Sequence, residues 1–502
     1  MRVYTALLGV GLIVGGCVSP EPTAPPEFVV EVNERQLFLD NVDIAKVKNL
    51  VRTLHRPTKK GGVVRPDQAW ETSLQTRSVP AWDEKEKVFK IWMVTSTNVP
   101  GVAGTSYATS QDGLHWIKPK LNQWNFQGSR DNNFMALDPK MAWPDNAIVN
   151  AVYDPTDPDP KRRYKGLLGT EGRQPIVSPD GINWTRLDVE PIPSQDESNL
   201  SFDEKEGLFI LTVKHRGPYG RSVHLSTSTD FEEWTKPVLI FHADEKDQEL
   251  GRQNMAARRA NTKYQMRRPL WDKRDTYKGH TAEPKVDVYN MGLFRYESLY
   301  IGTPSMFHSN DNRWNQDGFH LIQLVCTRDL NTFTRLGDRQ PFIGPSTMSD
   351  ATYDWTQLIG PSRPIVHGDE LWFYYTGIKY RTRPEDAPKK GGAVCLAVLR
   401  RDGFVSLDAT DVEGTVRTKT FVPPGDQLYV NADVTDGEMF LELLRGEEVV
   451  ATSEPLTGDL LRAQVKWNDG DLTSFDGQTV NLRFTLSNGS LYSYWFGTNT
   501  RL

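Results

Sequence analysis

A short pattern recurs along the chain and constrains its fold more than any bulk property. Ser110-Gln111-Asp112-Gly113 leads to Trp116, Ser178-Pro179-Asp180-Gly181 to Trp184, and Ser228-Thr229-Asp230-Phe231 to Trp234. Two weaker copies follow, Thr327-Arg328-Asp329-Leu330 and Arg400-Arg401-Asp402-Gly403. The copies recur roughly every 70 residues, and each follows a strand-like run such as "GTSYAT", "SVHLST" or "AVCLAVL". A hydroxyl, an acid and a glycine suit a tight turn, because the acid caps backbone amides and the glycine takes a positive φ. The tryptophan then packs back onto the sheet. Asp112, Asp180 and Asp230 therefore read as structural residues.

A repeat of this length fits one four-stranded propeller blade with a functional loop. Further strands fall between the acid turns, among them "KVFKIWMVTS", "RYKGLLGT", "GLFILTVK" and "ELWFYYTG". The expected fold is all-β, a five-bladed β-propeller over residues 29–403 followed by a C-terminal β-sandwich over residues 404–502. The boundary falls where the repeat stops and short alternating strands such as "DQLYVNADV" and "VNLRFTLS" crowd together. No long amphipathic helix is expected; "VDIAKVKNLVRTLH" is the best helical candidate.

The N-terminus reads as a targeting signal. Arg2 precedes an apolar run from Ala6 to Val14 that is too short to span a bilayer, and Val14-Gly15-Gly16-Cys17 matches a bacterial lipobox. Residues 1–17 are thus expected to be a lipoprotein signal peptide with Cys17 the lipidated residue, and 18–28 a proline-rich tether. The expected location is the cell envelope, with membrane contact through the lipid anchor. Beyond Cys17 only Cys326 and Cys395 remain, both in strand-like apolar runs.

Charge excludes one class of partner. With 59 basic and 65 acidic residues the net charge is −6, and no basic stripe marks a nucleic-acid surface. No Cys/His cluster has zinc spacing, and no glycine-rich loop opens a helix, so neither a metal nor a cofactor is expected. The 14 tryptophans suit sugar rings as well as packing between strands.

In a propeller, the innermost strands surround a central channel, so a site is assembled from isolated acids, one per blade. The acid turns, an acid early in each of the first three blades and the trailing sandwich resemble the five-bladed propeller glycoside hydrolases, families 32 and 43 and their relatives. That resemblance implies three carboxylates: a nucleophile or base from the first blade, a transition-state stabiliser from the second, and a general acid from the third. Asp154 in "NAVYDP" is the second-blade match, similar to the Arg-Asp-Pro element of family 32 with Tyr153 in place of the arginine. In the third blade the candidates are Asp196 and Glu197 of "PSQDESN"; neighbours on an extended strand point to opposite faces, so one of the two would face the channel. First-blade candidates are Asp40 in "QLFLDNVD", and Asp67 or Glu71 in "RPDQAWETS".

Polar groups near these acids are expected to bind substrate. Trp70 beside Glu71 offers an aromatic platform. Arg130, Asn132 and Asn133 in "GSRDNN" suit hydroxyl or acidic-group recognition, and Tyr289 and Asn290 in "VDVYNMG" line the channel together with Asp287. The insertion from Asp244 to Pro284 carries Arg258, Arg259, Arg267, Arg268 and Trp271, a set suited to an anionic sugar or phosphate. The expectation is a glycosidase acting on oligo- or polysaccharide. A glycoside phosphorylase is the enzymatic alternative, and a non-catalytic glycan-binding propeller the other.

Overall fold

The computed structural model describes residues 27–137, 147–261, 284–309, 318–380, 390–469, 472–475 and 477–498. Cys17 and most of the proline-rich tether lie outside these residues, as do Arg267, Arg268, Trp271 and the side chain of Arg259. The described chain is nearly all β, and none of its helices is long and apolar enough to cross a membrane.

From residue 58 to residue 400 the strands form antiparallel meanders. The first runs through Glu71–Gln75, Ala81–Asp83, Val88–Thr97 and Ala103–Ser110. The second begins at Ile148–Tyr153, the third at Ser198–Asp203 and the fourth at Lys285–Tyr296. The fifth comprises Gln357–Ile359, Ile365–His367, Glu370–Ile378 and Gly392–Arg400, and its outer edge is completed by the N-terminal strand Thr58–Val64. A parallel pairing of Gly392 with Ser73 merges the fifth and first meanders into one nine-stranded sheet.

The apolar cores show how the meanders are arranged. Each of five clusters is shared by two successive meanders. Trp92 and Tyr107 of the first pack on Tyr164 and Ile176 of the second, and Leu167 and Val177 of the second on Phe209 and Leu211 of the third. The third and fourth share Ile210 and Val223 with Val286 and Leu293; the fourth and fifth share Phe294 and Ile301 with Phe373 and Tyr375. The last cluster returns from Trp372 and Tyr374 of the fifth to Ile91 and Ala108 of the first. The meanders therefore close into a ring.

The repeated acid turns tie that ring together. At Asp112, Oδ1 accepts the Leu114 and His115 amides at 2.8 Å each, Ser110 Oγ donates to it at 3.0 Å, and Trp116 Nε1 donates to the Gly113 carbonyl at 2.9 Å. Asp180 and Asp230 repeat the arrangement, and Asp329 repeats its acid cap with Thr327 as the hydroxyl. Two of the turns also offer a carbonyl to the preceding meander: Trp92 Nε1 donates to Gly181 and the Tyr374 hydroxyl to Gly113. The fifth copy departs from the others. Asp402 is fully buried and accepts from Arg35, the Tyr296 hydroxyl, Asn431 and Ser493, joining the ring to the C-terminal sheet.

That C-terminal sheet has ten strands in one hydrogen-bonded unit. Its 19-residue strand Gln427–Arg445 pairs with four other strands, which requires the sheet to curl around its core of Val430, Leu441, Phe484 and Phe496. The best helical candidate, residues 42–55, instead contributes strands Ile44–Lys48 and Val51–Leu54 to this sheet, with Asn49 at φ 54° between them. Its β-branched residues favour extended chain. Its partners, Gly414–Thr418 and Val405–Ala409, lie at the far end of the sequence, beyond the reach of any local pattern. A helix forms where none was expected, at Glu245–Ala260, opened by a reciprocal cap in which Asp244 and Asp247 each accept the other's amide. Cys326 and Cys395 are buried free thiols.

Candidate functional site

The inner strands meet around a cavity of about 250 Å³ lined by Gln75, Arg77, Thr170, Asp196, Glu197, Tyr289 and Gln357, among others. Its floor is a belt of buried polar groups. Asn290 donates to Asn199 at 2.8 Å and accepts the Gly360 amide; Asn199 donates to Ser362, and Ser362 to the Arg77 carbonyl. Asn150 donates to the Ser198 carbonyl at 3.0 Å, bringing the second meander into the same belt. All five meanders thus contribute to one polar plug beneath one cavity.

Asp196 and Glu197 both line this cavity, although adjacent residues on an extended strand would diverge. The strand begins only at Ser198, and Asp196 sits at φ 61°. The Glu197 amide donates to the Gln195 carbonyl at 2.7 Å, closing a three-residue turn around Asp196, a rare and strained conformation for a residue with a side chain. With this turn both residues border the cavity, whereas a regular strand would turn one of them away.

The two carboxylates have different surroundings. Glu197 is 1% exposed and takes Arg77 Nε at 2.8 Å and a terminal Arg77 nitrogen at 2.6 Å, one on each oxygen. The Asp196 side chain is 58% exposed, hydrogen-bonds to Lys214, and lies 3.4 Å from the Tyr289 hydroxyl. Burial pulls the Asp196 carboxyl upward, but the Lys214 ammonium, with Arg77 and Arg173 behind it, outweighs burial and leaves it below its ordinary range. Burial likewise lowers the Lys214 amine, against the pull of Asp196 and Glu197. Lys214 also rests over the Tyr289 ring, 4.2 Å from its centre.

The remaining expected acids lie elsewhere. Asp154 follows the strand whose other end, at Val149, lines the cavity; it caps Thr156 and pairs with buried Lys165 at 3.0 Å. Glu71 is buried at the start of its strand and holds the Asp67 and Gln68 amides and Lys118, while Asp67 pairs with the same lysine. Asp40 forms a two-pronged pair with Arg328, joining the N-terminal segment to the fourth acid turn. The structure does not bring these acids to Asp196 and Glu197, because their oxygens hold turns and junctions.

The expected binding residues divide in the same way. Tyr289 and Asn290 belong to the cavity and its floor. Trp70 packs on Phe126, with ring centres 6.2 Å apart. Asn132 donates to the Trp124 and Ser129 carbonyls and so organises its own loop, Asn133 donates to the Tyr107 carbonyl and ties that loop to the strand Ala103–Ser110, and exposed Arg130 donates to the Asn122 carbonyl at 3.4 Å. Arg258, on the unexpected helix, donates to the Trp355 carbonyl and stacks on Phe319. Asp287 is buried and pairs with Arg221 at 2.9 Å.

Arg77, Lys214 and Arg173 belong to the site without having been expected there. A signal is present for two of them: Lys214 ends the apolar run "LFILTV", and Arg173 interrupts the strand "GRQPIVS". A charge inside a buried strand needs a partner or a task. Arg77 lies in the irregular stretch "TRSVP" and carries no such mark. Among the described residues no group of His, Cys, Asp and Glu has the arrangement of a metal site.

No known family model matches the chain, and no curated protein sequence matches it. Solved structures do. A BT0996 complex with RGII is 13% identical, with a TM-score of 0.42 over 69% of this protein and 92% of that one. The Bombyx mori GH32 β-fructofuranosidase BmSUC1 is 9% identical, with a TM-score of 0.38 over 89% of this protein and 95% of that one. A structure from the GH130 family, described as mannoside phosphorylases containing hydrolases of β-1,2 mannosidic linkages in Candida mannan, is 12% identical, with a TM-score of 0.39 over 76% and 97%.

Proposed function

We propose that this protein is a glycoside hydrolase of oligo- or polysaccharides, built as a five-bladed β-propeller with a sandwich-like C-terminal domain and working through the carboxylates at the head of the third blade. One observation carries the reading: the turn at Asp196 sets two consecutive acidic residues along one cavity between the inner strands, Asp196 exposed and Glu197 buried against Arg77. Breaking a glycosidic bond needs a proton at the leaving oxygen and negative charge near the oxocarbenium-like carbon. Asp196, exposed and hydrogen-bonded to Lys214, is the proton-handling group of this reading. Glu197, gripped by Arg77, is the fixed negative charge. Tyr289, Gln75 and Gln357 supply hydrogen bonds to sugar hydroxyls. The lipobox ending at Cys17 supports a lipid-anchored protein of the cell envelope.

A second reading has its own observation. Among the described residues no carboxylate from the first or second meander lines the cavity, whereas Arg77 and Lys214 stand beside the acid pair. Phosphorolysis requires one acid and a seat for phosphate and no enzymic base, so this arrangement also favours a phosphorylase.

Sugar release from a panel of plant, algal and fungal oligosaccharides, with and without phosphate, tests both readings. Hydrolysis predicts phosphate-independent product, with kcat in Asp196→Asn lowered about 100- to 10,000-fold. Product that appears only with phosphate moves the protein to phosphorolysis. Unchanged product in Asp196→Asn removes the acid pair from the mechanism.

A further inference from the structure

Arg173, on the strand Gly172–Ser178, is fully buried and forms no ion pair among the described residues. Its donors go to neutral acceptors: Nε to Ser198 Oγ at 2.7 Å, one terminal nitrogen to the Asp196 carbonyl at 2.7 Å, and the other to the Gly169 carbonyl. The first two acceptors flank Glu197 on either side. Ser198 Oγ in turn donates to Asn150 at 2.5 Å, and the Asp196 amide donates to Thr170, so the second meander grips the acid turn at several points. Burying a guanidinium with no carboxylate in direct contact is unfavourable, and burial lowers the Arg173 group to about 10 against the pull of the nearby Glu197 and Asp196 charges. A residue that served packing alone would do so at lower cost as a neutral side chain. Left-handed backbone at a non-glycine residue persists only where its surroundings over-determine it.

We propose that Arg173 is a positioning residue that holds the Asp196 turn in its left-handed form and so keeps Asp196 and Glu197 side by side along the cavity. Its cationic head also lies close enough to Asp196 to favour the ionised carboxylate. The inference rests on the reading of Asp196 and Glu197 as the working acids, and it goes beyond that reading by assigning the role to a residue that touches no substrate.

The test uses the full chain and the variants Arg173→Met and Arg173→Lys, with crystal structures, thermal melts and kinetics. In Arg173→Met, Asp196 should leave the left-handed region, so that only one of the two carboxylates still lines the cavity. Its kcat should fall about 100-fold with little change in KM, the cost of misplacing a reacting group by about an ångström. The alkaline limb of its pH–rate profile should move to higher pH, because a cation that favours ionised Asp196 is gone and the carboxyl keeps its proton further up the pH scale. Arg173→Lys retains the charge but not the three-way grip; it should keep the wild-type pH limb with reduced kcat, and it serves if the methionine variant does not fold. An Asp196 that keeps its turn and its Lys214 contact in either variant, with kcat unchanged, overturns the proposal. Absence of turnover by the wild type on every substrate retires the hydrolase reading instead, and the variant structures still decide the role of Arg173.

Discussion

Arg77 and Glu197, 120 residues apart, form a two-pronged ion pair that crosses from the first meander to the third beside the central cavity. Both partners are almost completely buried. Burial works against the arginine's charge, and the glutamate outweighs it. The pair thereby joins the architecture of the ring to the chemistry of the cavity.

Removing one partner should therefore harm the protein more than removing both. Arg77→Met leaves Glu197 buried without its cation and should destabilise the fold by about 3–5 kcal/mol. The double variant Arg77→Met/Glu197→Gln should recover a large part of that loss. Denaturant unfolding of the wild type, both single variants and the double variant measures the coupling; simple additivity would show that the pair is not energetically linked.

Asp154 should behave as a structural acid. Asp154→Asn disturbs the Thr156 cap and the pairing of Lys165, which Asp157 still meets at 2.6 Å. A loss of about 1–3 kcal/mol in stability is expected, with kcat/KM for glycoside cleavage within about threefold of wild type. A collapse of kcat with unchanged stability would return Asp154 to the catalytic set.

The repeated acids should divide into two classes. Asp112→Ala and Asp180→Ala each remove a cap on two amides, an effect of about 1–2 kcal/mol. Asp402→Ala strips a buried acceptor from Arg35, Tyr296, Asn431 and Ser493 at the junction with the C-terminal sheet, and should cost about 3–5 kcal/mol. Chemical denaturation distinguishes the classes, and equal losses would contradict the junction role.

Asp43 gives the fold a specific pH dependence. It is 1% exposed, neither carboxylate oxygen has a hydrogen-bond partner among the described residues, and burial raises its carboxyl to about 6. The folded protein keeps this proton when the unfolded chain has released it, so the stabilisation is complete below about pH 4 and is lost as pH rises to about 6. The size is about 3 kcal/mol at about 1.4 kcal/mol per pH unit. Asp43→Asn should abolish that slope and melt above the wild type at pH 8 but not at pH 4. Parallel melting curves of the two proteins across this range would show that Asp43 is ionised and accommodated.

Elements with local causes are legible in the amino-acid order alone. An acid turn is made by contacts two and three residues apart, and strands announce themselves by runs of β-branched and aromatic residues, so the repeating meanders can be read from their spacing. The capping pair Asp244 and Asp247 is equally local, yet it escapes a pattern search because the insertion lacks an apolar stripe. Which acids share a cavity, by contrast, depends on contacts between distant segments. Glu197 finds Arg77 across 120 residues, and Asp40 finds Arg328 across 288. A carboxylate in the sequence looks the same whether it will cap a turn, seal a junction or face a channel. What distinguishes them is the set of groups the ring brings within about 3 Å, and for Asp196 it is a single left-handed residue, held in part by an arginine from the neighbouring meander.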